Sequence, residues 1–174
     1  MITNFKQFNE NLLVPRNLEG RKEKLKQIHI KLLSQEVVDG DLNIDESFID
    51  INPKLIKVKK VNGTVRLMGL EWKEIPAWLK GVEIRDDFNC LHNKLESLEG
   101  CPETIERNFY CSYNLLKSLK GCPENIGGNF YCDNNKLTSL QGCPKIIGGG
   151  FWCTNNKVKL ELPAYVKLKG RFYN

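Results

Sequence analysis

The chain has 174 residues, 41% of them hydrophobic, a size and composition that suit one domain with a continuous core. Its formal charge of +5 divides almost evenly, +2 over residues 1–60 and +3 over 61–174, so neither part stands out as basic and nucleic acid is not the expected partner. No run approaches the roughly 20 apolar residues that a membrane span needs.

The first ten residues, Met1 to Glu10, lack the apolar stretch of a secretory signal. They resemble the short leaders that open many tailed-phage proteins, some of which address proteins to the prohead. From Asn17 to Ser34 the spacing predicts one amphipathic helix. Leu18, Leu25, Ile28, Leu32 and Leu33 share a stripe, and Lys22, Lys24, Lys26 and Lys31 take its flanks. Asn17 suits the N-cap. Residues 1–36 are therefore expected to be an N-terminal arm and a capping helix over the first unit of a stacked fold. A basic helix that binds a membrane or a partner is the functional alternative.

Beyond the helix the chain repeats itself. Phe88, Phe109, Phe130 and Phe151 each open the pattern Phe-x-Cys-x-x-Asn-x-(Leu/Val) at intervals of 21 residues. Cys90, Cys111, Cys132 and Cys153 follow, then Asn93, Asn114, Asn135 and Asn156. Leu98, Leu119 and Leu140 precede a Gly-Cys-Pro step at Cys101, Cys122 and Cys143. An aliphatic residue recurs four positions before each strand centre, as in Val38 to Leu42, Val61 to Val65, Ile84 to Phe88 and Leu168 to Phe172. Such a unit cannot bury its apolar face alone, so its copies stack into a solenoid. Residues 37–174 are expected to form about seven strand rungs, the first two degenerate and the last cut short, since end rungs face water on one side.

The segment Phe109-Tyr-Cys111-Ser-Tyr-Asn114-Leu-Leu116 resembles the L-x-L-x-x-N-x-L stretch of leucine-rich repeats, with Phe and Cys in two of the leucine places. The short period and the Cys-Pro-x-x-Ile step are similar to the bacterial and tailed-phage type of that family. The likeness covers roughly residues 38 to 174 and is weak in the first two rungs, where Leu70 stands in place of the asparagine. It implies an α/β repeat, mostly β and irregular: a leucine-rich-repeat solenoid with parallel strands on a concave face and an N-terminal capping helix. Secreted bacterial ubiquitin-ligase effectors carry similar repeats ahead of a large catalytic domain, and that activity is not carried over.

Chemistry is sparse. Phe and Cys two residues apart share one strand face, so the seven cysteines are expected inside as small core residues. Stacked neighbours about 4.8 Å apart exceed the roughly 3.8 Å between Cβ atoms that a disulfide needs. The odd number of thiols and the missing secretory signal point to a reducing compartment: the cytoplasm, or a host cytoplasm or virion for a phage protein. No C-x-x-C pair suggests zinc, and no cofactor or catalytic residue is expected. His92 reads as a surface residue beside a turn, and the Gly148-Gly-Gly150 run lacks the Lys-Ser/Thr of a phosphate loop. The asparagines are read as satisfying backbone groups where each strand turns.

The outward residue of each strand is the remaining candidate. Asn43, Arg66, Asn89, Tyr110, Tyr131, Trp152 and Tyr173 form that column, flanked by Asn108, Asn129, Ser112, Asp133 and Thr154. Four consecutive aromatics are not needed for the fold, and Tyr and Trp are favoured at interfaces. Strand propensity and stacking along the ladder are the plain alternative. The expected function is a non-enzymatic protein-binding module that uses Arg66, Asn89, Tyr110, Tyr131, Asp133, Trp152 and Tyr173. A phage accessory protein acting on a host target is one example. A virion or assembly component and a carbohydrate-binding module are the alternatives. Residues 83–106 hold seven acidic and two basic side chains, whereas 154–174 hold five basic and one acidic. The strand edge at 168–174 is expected to pair with a partner or a second copy.

Overall fold

The computed structural model describes residues 18–45 and 51–174. Asn17, the expected N-cap, and the leader-like residues before it lie outside the described residues. Helix α1 spans Leu18–Leu33. Its burial differs from the expected stripe. Leu25 is exposed, and the covered side chains are Ile28, His29 and Leu33, with Ile30 and Leu32 half-buried against the core. The reason is position along the helix: side chains 19–27 are all exposed or half-exposed, and only the last two turns are covered. Leu33 shares one core with Val38 and Leu42 of the first rung, and its carbonyl accepts the Lys57 N–H at 2.8 Å.

Each rung carries two strands of two residues. In chain order they are β1 (Val37–Val38) and β2 (Leu42–Asn43), β3 (Lys60–Val61) and β4 (Val65–Arg66), β5 (Glu83–Ile84) and β6 (Phe88–Asn89), β7 (Thr104–Ile105) and β8 (Phe109–Tyr110). Then come β9 (Asn125–Ile126) and β10 (Phe130–Tyr131), β11 (Ile146–Ile147) and β12 (Phe151–Trp152), β13 (Lys167–Leu168) and β14 (Phe172–Tyr173). The odd strands form one seven-stranded parallel sheet and the even strands another. The protein is a β-solenoid of about six turns. The expected ladder of Phe-x strands is present as the even sheet. The recurring aliphatic residue, which marked no strand in the sequence, proves to be the core-facing residue of a second ladder.

Register is one repeat per step throughout, so Phe88 lies on Phe109, Phe109 on Phe130 and Phe130 on Phe151. These four rings are fully buried, with neighbouring centroids 4.9–5.4 Å apart. From the odd sheet Val38, Val61, Ile84, Ile105, Ile126 and Ile147 join the same core. A three-residue turn joins the two sheets in each rung, and there the backbones stack closely. A Cβ on Gly148 would run into the Gly127 carbonyl, and one on Gly127 into the Glu106 carbonyl, which accounts for glycine at both positions.

The asparagine ladder does what the sequence suggested. Asn135 is 8% exposed. Its Nδ2 donates to the carbonyls of Cys111 and Cys132 at 3.1 Å each and of Asp133 at 3.3 Å, while Oδ1 accepts the Leu116 N–H at 3.1 Å. Asn114 repeats this set on the carbonyls of Cys90, Cys111 and Ser112 and on the Leu95 N–H. One amide therefore ties each turn to the rung before it. Ion pairs follow the same step. All nine among the described residues join adjacent rungs, as in Lys60–Glu83 at 2.8 Å, Arg107–Asp86 at 3.1 Å and Lys145–Glu124 at 2.7 Å. Exposed pairs add little stability singly. Repeated at one-repeat spacing, they oppose a slipped register.

The seven cysteines are free thiols. Six are buried and Cys122, against expectation, is half-exposed. Burial raises the thiol pKa values along both rows, to about 12 for Cys143 and Cys153.

Two outcomes are expected. Asn135→Ala should leave buried backbone groups unpaired and cost about 3 kcal/mol in urea unfolding. Asn125→Ala, on an exposed strand position, should be nearly neutral. The raised thiols also set a pH dependence. Unfolded thiols ionise near about 8.5 while folded ones hold their protons, so the unfolded state binds fewer protons above that pH. Stability should therefore be intact below about pH 8.5 and fall as pH rises towards 12. Cys111→Val should flatten that decline in melting temperature.

Candidate functional site: the outer face of the even sheet

In a two-residue strand, one side chain faces the core and the next faces outward. Phe109, Phe130 and Phe151 take the inner place, so Tyr110, Tyr131 and Trp152 stand outside, half-exposed, and Tyr173 extends the row at 37% exposure. In-register pairing then sets the rings face to face. Centroids are 4.8 Å apart for Tyr110–Tyr131, 4.6 Å for Tyr131–Trp152 and 4.8 Å for Trp152–Tyr173, with interplanar angles of 3°, 16° and 12°.

The rings lie back along their own strands. Asn129 Nδ2 donates to the Tyr131 hydroxyl at 3.2 Å, and Tyr110 bonds the Asn108 side chain. Burial first, then the nearby Asp87 charge, raises the Tyr110 pKa. Trp152 is larger and lies over Gly150, where a Cβ would approach the indole to 2.5 Å. Glycine at 150, in the column held by Asn108 and Asn129, is thus explained by its neighbour. Beneath the rings those asparagines form a ladder of their own: Asn108 Oδ1 accepts the Asn129 N–H, and Asn129 Oδ1 the Gly150 N–H, each at 2.8 Å.

The other predicted residues share this face and have partners of their own. Arg66 and Asn89 continue the column below Tyr110 by register. Arg66 pairs with Asp41 at 2.6 Å. Burial works against the Asp41 charge, but the Arg66 guanidinium and the Thr64 N–H outweigh it and hold the carboxyl below its usual range. Asn89 Oδ1 accepts the Leu91 N–H at 3.1 Å, and Asp133 accepts from Asn134 Nδ2 at 3.0 Å. The column is therefore continuous, but polar in its first rungs and aromatic in its last four.

A second exposed ring pair was not anticipated. His92 and Tyr113 stack at 4.4 Å in the turn after the strand, both with positive φ, 54° and 57°. Asparagine takes this position at Asn134 and Asn155 and tolerates the left-handed region better. The signal was visible in the sequence as the residue just before each ladder asparagine.

No cluster of three or more His, Cys, Asp or Glu among the described residues is arranged to hold a metal ion, and no described helix is long and apolar enough to cross a membrane. In comparison with known proteins, no family model, no curated protein and no solved structure matches the chain.

Trp152 and Gly150 should behave as a coupled pair. Gly150→Ala should displace the indole from two stacking partners and cost about 1–3 kcal/mol, from roughly 0.5–1.5 for each aromatic pair. Adding Trp152→Tyr should restore most of that loss, since tyrosine coexists with a Cβ-bearing residue at that position in the two preceding rungs. Thermal melts with near-ultraviolet circular dichroism would measure both effects.

Proposed function

We propose that the protein is a non-enzymatic protein-binding module whose contact surface is the outer face of the even sheet, centred on Tyr110, Tyr131, Trp152 and Tyr173. Arg66, Asn89 and Asp133 lie at its margin. The observation that carries this reading is the four-ring stack, half-exposed on a rigid sheet and fixed before any partner arrives. Rigid aromatic surface loses little entropy on binding, and Tyr and Trp dominate interface energetics. The Phe-x-Cys-x-x-Asn repeat supports the same assignment through its resemblance to short leucine-rich repeats of bacteria and tailed phages. An accessory protein that engages a host protein is the form this function would take in a phage.

The stacking geometry weighs against the carbohydrate alternative. Sugars and bases bind aromatic side chains through ring faces. Here Tyr131 and Trp152 have both faces covered by neighbours, and the row offers edges and hydroxyls instead. Edges and hydroxyls suit a protein surface.

Because the rings stabilise one another, the informative variants lie around them. Asn89→Arg with Asp133→Arg on this face should reduce capture of the cellular partner at least tenfold. Thr104→Arg with Asn125→Arg, on the outer face of the odd sheet, should leave capture unchanged. The opposite pattern, measured by quantitative affinity capture with equal melting temperatures, would move the contact to the odd sheet.

A further inference from the structure

The rings of the aromatic row reach back towards the corner that joins the two sheets, and that corner changes character along the molecule. In the third and fourth rungs it carries Arg85, Asp86, Glu106 and Arg107. In the fifth and sixth, beside Tyr131 and Trp152, it is Gly127-Gly128 and Gly148-Gly149, exposed or half-exposed. The N–H groups of these four glycines already donate to carbonyls of the rung before. The corner there is a ledge of bare backbone, and its glycines have no N–H left for a ligand.

Donors come from the rings instead. Asn129 Nδ2 donates to the Tyr131 hydroxyl at 3.2 Å. The bond with Asn108 lowers the Tyr110 pKa, as a bond given to the phenolic oxygen does. Each hydroxyl thus has its oxygen engaged and keeps its proton to donate, and among the described residues no acceptor takes it. Such a row suits a ligand that has carbonyls and lacks N–H groups. Proline residues lack the N–H, and in the polyproline II conformation their carbonyls make no internal bonds. The repeat matches as well. Tyr110 and Trp152 are about 9.4 Å apart, in steps of 4.8 and 4.6 Å, and Tyr131 and Tyr173 are set in the same way. Polyproline II returns to the same face after about 9.3 Å, so it meets every second ring. An α-helix returns after about 5.4 Å and a strand after about 6.6 Å, and both fall out of step within two rings.

Charge distinguishes the two ends of the row. Asp87 lies near Tyr110 and accepts the Asn108 N–H at 2.8 Å, with no ion pair among the described residues. Arg171 holds the equivalent place in the last described rung and is exposed. A cation on the ligand is therefore favoured at the Asp87 end and opposed at the other.

We propose that the aromatic row and the glycine ledge bind a proline-rich segment of a partner protein in the polyproline II conformation, running along the solenoid axis with a basic residue at the Asp87 end. This names the partner chemistry of the face described above and rests on its reading as a protein-contact surface. The tyrosine hydroxyls donate to the segment's carbonyls, its prolines pack on the ring edges and the ledge, and its cation meets Asp87. Polyproline II segments dock on aromatic surfaces because they are already ordered before binding.

The test uses the whole chain and fluorescent heptapeptides read by anisotropy. Two carry six prolines with one arginine, at the N-terminus in one and at the C-terminus in the other. A third has the same charge with glycine and serine in place of proline. Saturable binding of at least one proline peptide is expected, at least tenfold tighter than the glycine-serine peptide. Tyr131→Phe keeps the ring stack and removes one hydroxyl, and should weaken binding at least fivefold at an unchanged near-ultraviolet spectrum. Asp87→Asn should weaken it at least threefold and flatten its salt dependence. Failure of both proline peptides, with Asn89→Arg and Asp133→Arg still lowering partner capture, would overturn this proposal and leave the contact surface standing. If capture were also unchanged, both would fall. Binding that ignores Tyr131→Phe and Asp87→Asn, tighter binding of an oligothymidine, or a dimer in sedimentation that blocks the peptide would equally overturn the proposal.

Discussion

The structure rests on parallel, in-register stacking of near-identical rungs. When each strand pairs with its copy one repeat away, every side chain lies about 4.8 Å from its own counterpart. A residue type is then acceptable only if it tolerates a column of itself. Phenylalanine stacks ring on ring in the core, asparagine bonds both its own turn and the rung before, and glycine lets turn backbones approach. Cysteine fills small spaces in a column without branching. Charge is the one property that a column of copies cannot repeat without repulsion, and nine pairs among the described residues set opposite charges on adjacent rungs instead.

The same rule produces the surface. Nothing in the core requires Tyr110, Tyr131, Trp152 and Tyr173, yet stacking makes them into one continuous element. Their rings are held by neighbours and by Asn129 and Gly150 beneath them. This makes the site and the scaffold hard to separate by truncation. On the proposed reading, stability and recognition would draw on the same contacts, and surrounding polar positions are the place to tell them apart.

The two ends of the solenoid are unlike. Leu33 and the last turns of α1 join the core at the first rung, while β13, β14 and the turn between them carry half-exposed Leu168 and Phe172 and exposed Lys167, Lys169 and Arg171. A rung with one bare side cannot bury its apolar residues fully. The contrast between Ile147 and Leu168 in one column shows the size of that effect.

The period, the inward Phe and Cys, the backbone role of Asn114 and Asn135 and the outward aromatic column all follow from spacing, because alternation and repetition are local properties of the chain. The second sheet did not follow. Two-residue strands such as Ile126 with Asn125 are too short for a sequence pattern to distinguish from a turn, and they become strands only when a neighbour on either side supplies hydrogen bonds. Leu25 had the right helical spacing but lies beyond the part of α1 that reaches the first rung, which periodicity cannot report. The pairing of Trp152 with Gly150, the stack of His92 on Tyr113 and the one-repeat ion pairs were likewise decided in three dimensions. They depend on which residue lands on which across a full turn of chain, and only the register of the stacked rungs settles that.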